Sequence, residues 1–212
     1  MKVTALIPAY NEEKTIKTII QLLKNHNEVD ELLVVDDGSS DGTALIAKKA
    51  GVRVISFEKN QGKGAALQCG IDDINSDIIL MLDGDLIGLK EKHVSTLLDP
   101  IFRDECDMTV GVFNAGRGLT DLAQFFAPNL SGQRAVKTNI IKNIGSLKNS
   151  GYGVEIVINK YVKKIGRLKY VELPDLTHVM KEEKRGFAKG VVDRARMYWD
   201  ILKVSFTKSK IG

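Results

Sequence analysis

The sequence DIILMLDGDLIG, residues 77–88, places two acidic side chains directly after a run of apolar ones. The run is rich in Ile, Leu and Met and does not alternate with polar residues, which is typical of a strand buried on both faces. Asp83 and Asp85 follow it on either side of a glycine. We therefore predict a buried strand over 77–83 that ends in a turn bearing two carboxylates.

Three similar apolar runs precede this strand, and helical patterns separate the four. The predicted strands cover 3–9, 31–37 and 52–58, and the predicted helices cover 12–25, 41–50 and 62–74. Such strand–helix alternation predicts right-handed crossovers and an α/β fold with a mostly parallel central sheet flanked by helices. In a sheet of this Rossmann-like kind, ligands bind beyond the carboxyl ends of the strands.

The composition is that of an ordinary globular protein, with 212 residues, 43% hydrophobic and 27% charged side chains, and a net charge of +4. We expect one domain over 1–212, with a regular strand–helix half over 1–88 and a less regular half over 89–212. Cys69 and Cys106 match no metal-binding spacing and indicate reduced thiols in a cytoplasmic protein. The sequence shows neither a signal peptide nor an apolar run of transmembrane length. The modest charge gives no basic footprint for nucleic acid.

Polar clusters follow each of the four predicted strands, at residues 8–12, 36–43, 60–64 and 83–85. Because the carboxyl ends of parallel strands meet at one edge of the sheet, all four clusters are predicted to lie together. A turn could explain any one of them, but four at one edge indicate a binding site.

Asp83 and Asp85 offer hard oxygen ligands two residues apart. Mg²⁺ and Mn²⁺ take a few protein carboxylates and complete their coordination with phosphate and water. The pair therefore predicts a divalent cation that neutralises a diphosphate leaving group. The alternative is a turn with two solvated acids.

Lys63 lies between Gly62 and Gly64. Glycines there would let backbone N–H groups approach a phosphate, to which the lysine adds a point charge. The alternative is a glycine turn that begins a helix.

Asp36 and Asp37 have two open interpretations as well. They could accept hydrogen bonds from a nucleobase or from ribose hydroxyls, or they could serve as ordinary N-caps. Glu12 could bind a ribose, or it could only favour the start of a helix through the helix dipole.

Four sequence blocks carry a family resemblance: IPAYNEE (7–13), VVDDGSSDGT (34–43), NQGKGAAL (60–67) and LMLDGDL (80–86). Together they resemble the nucleotide-binding blocks of glycosyltransferase family 2, whose members have the GT-A fold. The resemblance implies a nucleotide-sugar donor, UDP-linked in preference to GDP-linked, and Mg²⁺ or Mn²⁺. The implied donor-binding residues are Pro8, Ala9, Tyr10, Glu12, Asp36, Asp37, Lys63, Asp83, Gly84 and Asp85.

Three blocks of the second half resemble glucosyl-3-phosphoglycerate synthases: AGRGLTDL (115–122), SGQR (131–134) and GYGVE (151–155). This resemblance implies a small phosphorylated or anionic acceptor such as a phosphoglycerate. With the first resemblance, it implies that 1–88 is the nucleotide-binding half and 89–212 the acceptor half. Glu155 would lie near the reacting sugar, and His178 would complete the metal site with Asp83 and Asp85. Catalysis would rest on Lys63, Asp85 and Glu155. The implied acceptor-binding residues are Gly116, Arg117, Thr120, Ser131, Gly132 and Arg134.

Two other functions stay open. SGQR is also similar to a segment of polyprenyl-phosphate sugar transferases, whose acceptor is membrane-bound. The pattern over 186–206 predicts an amphipathic, basic helix that could lie on an anionic membrane surface, or pack on the domain or in a homodimer. The remaining alternative is a non-catalytic module that binds a nucleotide sugar.

Overall fold

The computed structural model describes residues 1–113, 131–148, 150 and 153–178. In these ranges, strands and helices alternate through the first half of the chain, as the sequence predicts. The strands are β1 Val3–Ala9, β2 Glu31–Asp36, β3 Arg53–Ser56, β4 Ile78–Met81, β5 Leu86–Ile87, β6 Met108–Val112, β7 Arg134–Lys137, β8 Leu168–Glu172 and β9 Thr177–His178. The helices are α1 Ile16–Lys24, α2 Thr43–Lys49, α3 Lys63–Asp73, α4 Glu91–Phe102, α5 Thr138–Ile141 and α6 Val154–Ile165.

Seven of these strands form one sheet in the order β3-β2-β1-β4-β7-β6-β8. Strands β3, β2, β1 and β4 pair in parallel, and so do β6 and β8. Strand β7 runs antiparallel to both of its neighbours, β4 and β6. The predicted mostly parallel α/β sheet is therefore confirmed, with a single reversed strand between its two parallel parts.

Both faces of the sheet are buried. In β1, Val3, Ala5 and Ile7 belong to the core layer that contains α1 and α4. Leu6 belongs to the opposite layer, which contains α3 and α6. The continuous apolar runs of the sequence reflect this burial on two sides.

The first helix begins four residues later than predicted. Asn11 adopts a left-handed conformation with φ of 58°, which ends the strand in a turn. The N–H of Glu12 donates to Thr43 Oγ1 at 2.7 Å, so residues 11–15 are fixed against the start of α2. Helical geometry therefore begins at Ile16.

A separate two-stranded sheet pairs β5 with β9 in antiparallel fashion, and Leu86 lies opposite His178. In the described part of the chain, no helix has the length and apolar character needed to cross a membrane. The helix predicted over 186–206 lies outside the described residues, and the division of the chain at residue 88 stays a prediction.

Candidate functional site

Side chains from separate clusters join at the carboxyl edge of the sheet. Thr15 Oγ1 donates to the carbonyl of Gly84 at 2.6 Å, which ties the segment after β1 to the turn after β4. The Glu12 contact with Thr43 connects that same segment to α2. These contacts join three of the four clusters, and the hydrogen bonds of Asp37 to Gln61 and Gly62 join the fourth to them.

Asp37 fixes the loop that follows β3. Its Oδ1 accepts the N–H of Gln61 at 2.7 Å, and its Oδ2 accepts the N–H of Gly62 at 2.8 Å and Asn60 Nδ2 at 2.9 Å. Burial raises the pKa of Asp37 above its ordinary value, and the backbone donors of Gln61 and Gly62 oppose this rise. Because Lys63 follows Gly62 directly, Asp37 holds the residue from which α3 begins.

Asp36 and Gly38 shape the turn between β2 and α2. Asp36 is buried and accepts the N–H of Ser39, three residues further on, at 3.3 Å. Gly38 has a φ of 72°, and a Cβ there would collide with the backbone of Lys59 and Asn60. The loops after β2 and β3 pack closely only because residue 38 has no side chain.

The two glycines beside Lys63 have different structural roles. Gly62 has a φ of 92°, a conformation that favours glycine. At Gly64, by contrast, a Cβ would collide with the carbonyl oxygen of Leu147. Close packing of α3 therefore explains Gly64 without any phosphate.

Lys63 bridges two carboxylates at the centre of the region. Its Nζ lies 2.6 Å from Asp83 Oδ1 and 2.6 Å from Glu155 Oε1. Asp83 follows β4, whereas Glu155 lies in the first turn of α6. Burial alone would lower the pKa of Lys63, but the attraction of the two carboxylates outweighs it and raises the pKa well above its usual range. The ammonium group therefore stays charged.

The second oxygen of Asp83 has a different partner. Gln133 Nε2 donates to Asp83 Oδ2 at 3.1 Å, and Gln133 Oε1 accepts from Ser131 Oγ at 2.9 Å. Between them, Gly132 passes so close to Asp83 that a Cβ would collide with the carboxylate. The sequence prediction included Ser131 and Gly132 but missed Gln133, whose one signal was its place inside SGQR.

Arg134 is fully buried behind this segment. It donates to Asn159 Oδ1 at 3.1 Å and to the carbonyl of Ser131 at 2.5 Å. Burial lowers the pKa of Arg134, although the attraction of Glu155 and Asp83 opposes the effect. These contacts tie the segment before β7 to α6.

A cavity at the edge of the sheet is bounded by both polar and apolar side chains. The polar part of its lining is Lys63, Asp83, Gly132, Arg134 and Glu155, and the apolar part is Pro8, Leu67, Met81, Leu82 and Ile158. The lining therefore sets a few convergent charges against an apolar wall, a composition that can orient a polar ligand.

The predicted metal ligands approach one another through the backbone. Asp85 directly precedes Leu86, and Leu86 pairs with His178 across β5 and β9. Carboxylate oxygens and an imidazole suit Mn²⁺ or Mg²⁺, so this donor set fits the predicted cation. Among the side chains that the structure describes, no group of three or more His, Cys, Asp or Glu could hold a metal ion. Gly116, Arg117 and Thr120, predicted to bind the acceptor, lie outside the described ranges.

The fold and this edge place the chain among α/β proteins that bind ligands beyond the carboxyl ends of parallel strands. The family model described as "Glycosyl transferase family 2" matches residues 4–145. The chain therefore belongs to glycosyl transferase family 2, as its sequence blocks predicted.

Two curated relatives and a solved structure show more specific similarity. The chain is 30% identical over 191 residues to a glucosyl-3-phosphoglycerate synthase of Mycobacterium tuberculosis, covering 73% of this chain and 58% of the relative. It is 29% identical over 121 residues to a dodecaprenyl-phosphate galacturonate synthase of Rhizobium johnstonii, covering 52% of this chain and 36% of the relative. A crystal structure of the M. tuberculosis synthase with Mn²⁺, UDP-glucose and phosphoglyceric acid matches with a TM-score of 0.74 and 26% identity, over 94% of this chain and 79% of that one. This match confirms the GT-A fold.

Proposed function

We propose that this protein is a metal-dependent glycosyltransferase that moves a sugar from a UDP-sugar to a small phosphorylated acceptor such as a phosphoglycerate. The observation that carries the proposal is the contact of Lys63 with both Asp83 and Glu155. This contact joins the donor half of the chain to the second half at one cavity. The ligands of the similar M. tuberculosis structure support the choice of donor, cation and acceptor.

The donor would lie along the carboxyl edge of the sheet. We assign the nucleoside to the segments after β1 and β2, with Lys63 and Gly84 closer to the diphosphate and sugar. Asp37 acts here chiefly through the loop that it holds, since its two oxygens already accept three N–H donors. The nucleoside-binding residues under this proposal are Pro8, Ala9, Tyr10, Glu12, Asp36 and Asp37.

Asp85 and His178, with Asp83, would hold a divalent cation, which when bound supplies positive charge to the departing diphosphate. Lys63 adds a second positive charge on the protein side. Because Lys63 already contacts one oxygen of Asp83, this carboxylate would be shared between the lysine and the cation. The charged ammonium stabilises negative charge as it develops on the leaving group.

Glu155 would face the reacting sugar, held by Lys63 in the first turn of α6. We assign the acceptor to Gly116, Arg117 and Thr120 together with Ser131, Gly132 and Arg134. Of these, Arg134 would act mainly by fixing Ser131 and α6, because it is buried and donates to both. Glu155 and the segment 131–134 then form the side of the cavity next to the acceptor.

A polyprenyl-phosphate acceptor is the second candidate. It is favoured by the similarity to the Rhizobium synthase and by the basic amphipathic pattern over 186–206. Under this candidate the protein binds peripherally to membranes and sediments with anionic liposomes. A soluble acceptor predicts no co-sedimentation.

The helix predicted over 186–206 could instead support a homodimer, which light scattering tests.

A thermal-shift panel tests the donor site. UDP, GDP and UDP-glucose are compared in Mn²⁺, in Mg²⁺ and in EDTA, since a ligand that binds the native state raises its stability. We expect a shift with UDP ligands that disappears in EDTA and in Asp85→Asn. The matched control is Asp99→Asn, which changes a half-exposed aspartate of α4 outside the cavity.

Turnover of UDP-glucose with 3-phosphoglycerate is then followed by NMR. Product formation supports the transferase, whereas UDP-glucose binding without turnover on either acceptor class supports a binding module. If no nucleotide shifts the melting temperature, the proposed donor site is wrong.

A further inference from the structure

Gln133 is fully buried. Its amide nitrogen donates to Asp83, one of the carboxylates of the proposed donor site. Its backbone is anchored in the sheet, since its carbonyl accepts the N–H of Gly111 at 2.8 Å. Its side chain is anchored too, because Oε1 accepts from Ser131 Oγ. Gln133 therefore presents its amide nitrogen to Asp83 from a rigid position.

The direction of the hydrogen bond follows from the chemistry of the pair. An ionised carboxylate accepts hydrogen bonds and cannot donate them. The amide nitrogen of Gln133, and not its oxygen, must therefore face Asp83. The Ser131 hydroxyl can donate to the remaining amide oxygen, so all three groups are satisfied together.

Asp83 thus has a separate donor on each oxygen. Lys63 contacts Oδ1 at 2.6 Å, and Gln133 contacts Oδ2 at 3.1 Å. Two donors on opposite oxygens fix the plane of a carboxylate, whereas one donor leaves it able to rotate. The close approach of Gly132 on the same side limits the carboxylate further.

We propose that Gln133 is a positioning residue, which holds the carboxylate of Asp83 in the orientation that serves donor binding. This inference rests on the proposed function of Asp83 in the donor site. Partners that orient a ligand-binding carboxylate typically contribute about 10- to 100-fold in affinity. Gln133 would act only through Asp83, so its effect must disappear when Asp83 is changed.

The test is a double-mutant cycle on UDP-glucose affinity in Mn²⁺, measured by calorimetry. Gln133→Met keeps the length of the side chain but cannot donate, and Gln133→Leu provides a second non-donating variant if the first fails to fold. We expect about tenfold weaker binding with either variant. In the Asp83→Asn background, we expect Gln133→Met to cause no further loss.

Gln21→Met is the control. It makes the same glutamine-to-methionine change on an exposed residue of α1, outside the lining of the cavity. Its substitution should leave UDP-glucose affinity unchanged. Urea unfolding of each variant shows whether a loss of affinity reflects a loss of stability.

The outcomes separate the two proposals. If Asp83→Asn leaves affinity unchanged, the proposed role of Asp83 is wrong. If Asp83→Asn weakens binding but both Gln133 variants bind like the wild type, only the inference about Gln133 is overturned. Losses that add in the double variant would also overturn it, because Gln133 would then act independently of Asp83.

Discussion

Lys63 Nζ lies 2.6 Å from Glu155 Oε1, although 92 positions separate the two residues in the chain. The contact connects the first residue of α3 with the first turn of α6. A single ammonium group thereby pairs with one carboxylate from each half of the protein. A second group of charges, Asp107 with Lys137 and Arg167, ties β6 to β7 and β8 in the second half of the chain.

Lys63→Met removes the shared cation and leaves Asp83 and Glu155 facing each other. We expect the free energy of unfolding to fall by about 2 kcal/mol, because two partly buried carboxylates lose a charged partner. Donor binding should weaken as well, since the charge beside the diphosphate is lost. Urea unfolding and UDP-glucose calorimetry measure the two effects. Lys17→Met, on the exposed face of α1, should change neither.

Asp37→Ala removes the acceptor for the loop after β3. The N–H groups of Gln61 and Gly62 would lose their partner, so we expect a destabilisation of about 1–3 kcal/mol by urea unfolding. UDP binding should also weaken because the loop carries Lys63. Asp37→Asn keeps one acceptor oxygen and should be milder. Equal stability of the alanine variant and the wild type would contradict this role of Asp37.

Gly132→Ala places a methyl group against the carboxylate of Asp83. We expect roughly tenfold or greater loss of UDP-glucose affinity, because Asp83 must move away from its two donors. Gly145→Ala is the matched control, since nothing lies within 4 Å of a Cβ there. Similar affinities of the two alanine variants would show that the approach of Gly132 to Asp83 does not matter for binding.

The environment of Asp107 predicts that the free energy of unfolding falls in acid. Its hydrogen bond with the Arg167 side chain, helped by Lys137 and opposed by burial, lowers its pKa below the ordinary 3.8. A lowered pKa stabilises the folded state above about pH 4, and this contribution is lost as the pH falls towards the folded pKa. Asp107→Asn should therefore flatten the fall in unfolding free energy as the pH drops below about 4. An unchanged pH profile in urea unfolding would refute the prediction.

The first four strands could be predicted because their apolar runs are continuous, and the polar clusters because each comes directly after a run. Strand β7 could not be predicted in the same way. RAVK is short and begins with a charged residue, and its direction depends on pairing with β4 rather than on any local pattern. The late start of α1 depends on the distant Thr43.

Within the site too, contacts between residues distant in sequence could not be predicted from local patterns. Lys63, Asp83 and Glu155 were predicted individually from local motifs and family resemblance, but their mutual contact depends on tertiary packing. Gln133 has no distinctive local chemistry, and it gains a role only because Asp83 lies opposite its amide. Arg134 looked like an anion ligand in sequence, whereas its described contacts reach Asn159 and Ser131.

The reversed direction of β7 has a consequence for how this site can change. Arg134 pairs with Met81, so the chain enters β7 at the very edge where the parallel strands end. Residues 131–133 therefore reach Asp83 without any long excursion of the backbone. One inserted residue at this entrance would turn alternate side chains to the opposite face and remove Gln133 from Asp83. Substitutions at 131–133, by contrast, can retune the surroundings of Asp83 while the nucleotide-side loops keep their shape.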